Sequence, residues 1–158
     1  RLHYFSEWIH DNEKRGNVHN VTLALGGLRA EGQLDFMSRN RELYARFAGD
    51  DSLFAGVKAM EETLASLDRW FIPQKKIRSI YPLLRSGDIV ATSTTVEGLD
   101  VSHSGLVYIH DDGSVGFLHA STKSGVTIAD DLADYVLANR ATHGIVVARP
   151  VDQRLSYD

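Results

Sequence analysis

Apolar residues in this sequence follow a helical period before Pro73 and a strand period after it, and that single switch restricts the fold class. Phe5, Trp8 and Ile9 stand at i, i+3, i+4 in a segment that Ser6 can start and Gly16 can end. From about residue 34 to 47 the pattern returns through Phe36, Met37, Leu43, Tyr44 and Phe47, with Gly49 as a stop. Residues 51–69 carry Leu53, Val57, Met60, Leu64 and Leu67 as one stripe, and all three stripes read as core-facing. After Pro73, residues 87–91, 102–110, 114–120, 125–128 and 144–149 are short segments rich in Val and Ile, separated by Gly, Asp and Ser. Residues 130–139 suit a short helix between the last two. Helices followed by a strand meander predict an α+β fold, with helices packed on one side of an antiparallel sheet that can curl into a partial barrel.

Composition narrows the function classes. With 158 residues, 43% hydrophobic and 24% charged, the chain has the profile of one globular domain with a core. Its 17 basic residues are scattered among 21 acidic ones at net charge -4, without a basic block, which argues against nucleic acid as a partner. No apolar run reaches the roughly 18 to 20 residues of a membrane-spanning helix. Zero cysteines exclude disulfides and cysteine-ligated metal sites within these residues. The chain starts at Arg1 without an initiator methionine or a signal-like segment, so it is expected to be part of something longer or a processed product.

Of the seven histidines, His103 and His119 stand apart, because each lies in a predicted strand and a short hairpin joins the two strands. Strand side chains alternate between faces, so the register decides whether the two rings meet. Asp112-Gly113 read as a two-residue turn pairs His110 with Val115 and puts the histidines on opposite faces. A three-residue loop of Asp111, Asp112 and Gly113, closed by Gly113 in the left-handed region, pairs His110 with Ser114 instead. His119 then faces Gly105, which would leave open space beside it. His103 faces Ser121, and the two imidazoles are diagonal neighbours about 7 to 8 Å apart. That arrangement suits a general base and the group that fixes its tautomer. Ordinary packing or surface roles are the competing reading of both residues.

Three stretches then resemble a known family: Gly87-Asp88-Ile89-Val90, Gly98-Leu99-Asp100-Val101-Ser102-His103-Ser104-Gly105-Leu106, and Phe117-Leu118-His119-Ala120-Ser121. They are similar to the N-acetylmuramoyl-L-alanine amidase-like family, a branch of the NlpC-type papain-like cysteine peptidases. Arg1-Leu2-His3-Tyr4-Phe5-Ser6-Glu7-Trp8-Ile9 and the closing Gly144-Ile145-Val146-Val147-Ala148-Arg149-Pro150 extend the resemblance over nearly the whole chain. It implies a papain-like α+β fold in which a helix-borne cysteine attacks an amide, His103 is its base and His119 orients that base. The family's cysteine lies upstream of the segment at which this chain starts. A hydroxyl or water does not replace a thiolate held beside an imidazolium, so the chain alone is expected to be inactive.

The resemblance further implies a peptidoglycan fragment as substrate, cut between N-acetylmuramic acid and L-alanine in the periplasm or cell envelope, with no cofactor. Its upstream segment would be the partner carrying the nucleophile. Arg1, Tyr4 and Trp8 are candidate contacts for the glycan, and Ser102 and Ser121 candidate hydrogen-bond donors at the cleft. Core packing of Trp8, a frayed Arg1 and turn roles for the serines compete with this. Asp88 reads as a turn residue and Asp100 as the start of a strand. Two further functions stay open: a non-catalytic wall-binding module on the same fold, and a metal hydrolase using His103, His119 and Asp100, although zinc sites usually need three ligands at defined spacing.

Overall fold

The computed structural model describes residues 2–152. Its elements are α1 (Phe5–Lys14), β1 (Val18–Asn20), β2 (Leu28–Arg29), α2 (Phe36–Arg39), α3 (Asp51–Ala65), β3 (Trp70–Pro73), β4 (Ile89–Thr94), β5 (Val101–Ile109), β6 (Val115–Ser121), β7 (Gly125–Ala129), α4 (Leu132–Ala138) and β8 (Thr142–Pro150). A long 3-10 segment, Gln74–Leu83, links β3 to β4. The strands form an open antiparallel sheet in the order β2-β3-β8-β4-β5-β6-β7, with β1 also pairing on β8. The α+β expectation holds. The sheet does not close into a barrel.

Alternation along the strands sorts the molecule into two faces. The inner face carries Val90, Val107, Val115, Phe117, Ile145 and Val147, all buried, and is covered by Ile77, Ile80 and Leu84 of the 3-10 segment and Leu132, Ala133 and Val136 of α4. On the outer face, Ile89, Val146 and Ala148 meet Phe5, Trp8 and Ile9 of α1. Helices therefore lie on both sides of the sheet, where the sequence reading had placed them on one. A separate cluster of Tyr4, Leu34, Met37, Phe47, Val57 and Leu64 joins α2 and α3 to the start of α1.

The predicted helix over residues 34–47 is broken into α2 and two 3-10 turns. Local side chains compete with the helical ladder here. Asn40 leaves the helical region, and its side-chain amide donates to the Phe36 carbonyl at 2.7 Å. Arg41 then donates to the Phe47 carbonyl through Nε at 3.0 Å and Nη2 at 2.6 Å, holding the chain in a tight curl. The apolar spacing survives because it is the curl, not a helix, that presents Met37 and Phe47 to the core. The α3 stripe ends at Ala65, and Asp50 caps its start by accepting from Leu53 N–H at 2.8 Å.

Candidate active site

The β5–β6 hairpin decides the site. His110 N–H donates to Ser114 O at 2.9 Å, Gly113 N–H donates to His110 O at 2.9 Å, and Gly113 has φ +84°. The three-residue loop is therefore the one adopted, and Gly105 pairs with His119 while Val107 pairs with Phe117. Asp112 fixes the loop by accepting from both Ser114 N–H and Ser114 Oγ, at 2.9 and 2.7 Å.

With that register His103 and His119 share the inner face, and His103 Nε2 lies 3.0 Å from His119 Nδ1. The rings stand nearly perpendicular, 85° apart with centroids at 5.0 Å. Because Nε2 of His103 is engaged, its Nδ1 is the nitrogen left to take a proton from elsewhere. Burial, and secondarily the neighbouring His119, lower the His103 pKa below the ordinary imidazole value, so at neutral pH the ring is uncharged. A neutral imidazole with one nitrogen held by a partner can act as a base.

Three further residues complete the surroundings. Phe117 stacks on His119 with centroids 5.1 Å apart and planes at 13°, and Tyr135 of α4 lies 4.7 Å from His119 and 6.2 Å from His103. Thr92 pairs with His103 across β4 and β5, and a bulge follows, because Ser93 pairs with Val101 and skips Ser102. The open space expected beside His119 is absent. A Cβ on Gly105 would meet Phe117 Cε2 at 2.7 Å, so the aromatic ring already occupies the gap that glycine leaves. Phe117 was readable as a neighbour of His119 by its two-residue offset. Tyr135 was not, since no sequence feature says which turn of α4 faces the hairpin.

The other candidates disperse. Ser102 is exposed at the bulge, with Oγ 3.2 Å from Thr92 Oγ1, and Ser121 Oγ accepts from Lys123 N–H and Ser124 N–H in the β6–β7 turn. Tyr4 is 2% exposed, and its hydroxyl donates to Glu61 Oε1 at 2.7 Å while accepting from Met37 N–H at 3.1 Å. Trp8 stacks on Phe5 on the outer face, so the sheet separates it from the histidines. The expectation that Tyr4 and Trp8 flank the histidine cleft gives way to these packing positions, because α1 needs its apolar side against the sheet. Arg1 lies outside the described residues. Asp100 accepts from Ser6 N–H and Val101 N–H at 2.7 and 2.8 Å, which pins the start of α1 to the start of β5. With its carboxylate so engaged, Asp100 does not reach the histidines, and among the described residues no three potential metal ligands come together.

The sequence pattern of one family, described as AmiA-like, N-acetylmuramoyl-L-alanine amidase-like, matches residues 1–145. The chain belongs to that family. Among solved structures, this amidase-like chain is similar to an N-acetylmuramoyl-L-alanine amidase from Bacteroides uniformis, with TM-score 0.88, 28% identity, and 96% of this chain covered against 65% of that one. It is also similar to a Bacteroides fragilis protein whose description proposes a xylanase, with TM-score 0.86, 31% identity, and coverage of 94% and 66%. A Legionella pneumophila protein at 17% identity and TM-score 0.70 shares the fold alone. The amidase-like chain thus spans slightly less than two thirds of the length of these neighbours. None of the curated proteins matches it.

Proposed function

We propose that this chain is the histidine-bearing part of a peptidoglycan amidase that cuts the amide between N-acetylmuramic acid and L-alanine, using a cysteine thiolate supplied by a segment upstream of residue 1. The carrying observation is the 3.0 Å contact from His103 Nε2 to His119 Nδ1, which leaves His103 Nδ1 as the free basic nitrogen. In this reading the cysteine thiol passes its proton to His103 Nδ1, and the thiolate attacks the lactyl carbonyl carbon. The C–N bond breaks as His103 returns the proton to the leaving alanine nitrogen. Water, deprotonated by His103, then hydrolyses the lactyl thioester. His119 holds the proton of His103 on Nε2 by accepting it at Nδ1, so that Nδ1 of His103 presents its lone pair. No cofactor enters these steps.

In this reading the reaction takes place outside the cytoplasm, in the periplasm or cell envelope, and the protein works as an NlpC-type papain-like enzyme. Asp100 ties the start of α1 to the start of β5, the strand that carries His103, and this nearness supports a nucleophile borne on the N-terminal side of α1. A glycosidase reading, after the Bacteroides fragilis neighbour, would require a pair of carboxylates flanking the cleaved bond, whereas this site is built on two imidazoles. The absence of cysteine from the chain favours one alternative, a binding module that holds peptidoglycan without cutting it.

Mass spectrometry of muropeptides incubated with the full-length protein tests the reading. Free L-alanyl peptides should appear with the native protein, fall to background with His103→Ala, and drop about a hundredfold or more with His119→Ala. Binding of muropeptides without any cleavage by the native full-length protein would establish the module instead.

A further inference from the structure

We propose that Tyr135 is a positioning residue, whose ring and that of Phe117 form an aromatic clamp holding the His119 imidazole in the orientation that engages His103. The inference deepens the amidase reading and rests on it for its catalytic consequence, though not for the clamp itself. An imidazole at the end of two rotatable bonds has a broad, roughly two-fold χ2 preference, and a flip would turn Nδ1 of His119 away from His103. A hydrogen bond of one neutral imidazole to another replaces one to water and so contributes little net, too little to suppress that freedom alone. The clamp supplies the rest. Phe117 lies parallel to His119 at 5.1 Å and 13°, while Tyr135 meets it at 4.7 Å and 53° and touches Phe117 at 4.9 Å and 50°.

Both walls of the clamp are themselves fixed. Phe117 is fully buried and fills the space above Gly105. Tyr135 rides on α4, whose start is anchored by Asp131: its Oδ1 caps Asp134 N–H at 2.7 Å and accepts from the Tyr81 hydroxyl at 3.0 Å and from Arg78 at 3.1 Å. The Tyr81 hydroxyl in turn accepts from Ala133 N–H at 2.9 Å. The Tyr135 hydroxyl makes no such bond among the described residues, so the contribution of Tyr135 is its ring. The same ring lies 6.2 Å from His103 and shares in keeping water from it. Among the described residues His119 is the titratable neighbour that acts on the His103 pKa, and the groups facing His103 from β4 and α4 are Thr92 and Tyr135.

The experiment compares Tyr135→Phe, which keeps the ring, with Tyr135→Leu, which keeps bulk without the plane. Nitrogen-15 NMR of the histidine rings on this chain reads the clamp directly and requires no catalysis. The native chain and Y135F should each show one fixed tautomer for His119, with the proton on Nε2, whereas Y135L should show averaged Nδ1 and Nε2 shifts at an unchanged fold. In the full-length protein Y135L should lower kcat about tenfold to a hundredfold with KM held, and move the acidic limb of the kcat/KM profile upward as His103 gains water; Y135F should retain native values. A fixed His119 tautomer and a native pH profile in Y135L would overturn the clamp, and so would a Y135F variant as impaired as Y135L. Absence of cleavage by the native full-length protein would sink the amidase reading, while the NMR comparison would still decide the clamp.

Discussion

The Asp88 carboxylate is 1% exposed and accepts from Arg149 through both oxygens, at 2.8 Å from Nε and 2.7 Å from Nη2. The same side chain accepts from Arg85 N–H at 2.8 Å, so the turn role that its Ser-Gly-Asp context suggested is real but partial. Arg149 closes the far end of β8 onto the start of β4, and nothing in local sequence announced that pairing over 61 positions. Removing one partner leaves the other charge poorly compensated. Asp88→Ala should cost about 3 kcal/mol, at the low end for a buried pair because Arg149 keeps some solvent, read as a lower urea midpoint at constant slope. Substitution of an exposed acid such as Glu97, paired with Arg39 at the surface, should change the midpoint by well under about 1 kcal/mol.

At the scale of the element, the β5–β6 hairpin carries the argument. Two turn types fitted its residues, and they differ by one residue of register, which is the whole difference between histidines in contact and histidines apart. Both types need positive φ at Gly113, so the glycine could not discriminate between them; the choice came from Asp112 bonding Ser114 and from Phe117 finding a buried place over Gly105. Gly113→Val should therefore destabilise the protein by roughly 1 to 2 kcal/mol with no alternative turn to relieve it. Faster amide exchange confined to the hairpin, with His110 among the affected residues, would accompany the loss. The broken segment after Asp35 teaches the complementary point. Its stripe was right at Met37 and Phe47, which are buried, and wrong at Leu43, which is 64% exposed, and its helix did not form, because Asn40 and Arg41 satisfy backbone carbonyls in ways the period of hydrophobic residues does not register.

Taken as a whole, the molecule keeps two histidines neutral by burying them in part. Burial lowers the pKa of both His103 and His143, the latter lying edge-on to Phe71 with centroids 4.7 Å apart. Below the ordinary unfolded value of about 6.5 the unfolded chain binds protons that the folded chain resists. The stability contributed by these groups is thus fully present above about pH 6.5 and is lost as pH falls from there toward the depressed folded values. Thermal melts should show a decreasing Tm between about pH 7 and pH 5, and His143→Phe should flatten part of that decrease. A Tm that rises over the same interval would contradict the burial of these rings.

Composition and period alone were enough to determine an α+β chain, the five later strands, α1, α3, α4 and the two histidines worth watching, because those features depend on residues near one another in sequence. Tertiary structure alone decided the rest. The short strands β1, β2 and β3 exist only because β8 and one another supply their hydrogen bonds. Tyr4 became a core residue among α2 and α3 and Trp8 a half-buried one against the outer face of the sheet, and Tyr135 became a neighbour of His119 when Asp131 anchored α4. In each case the deciding partner lies many positions away, and a free energy shared between distant residues leaves no mark on either one read singly.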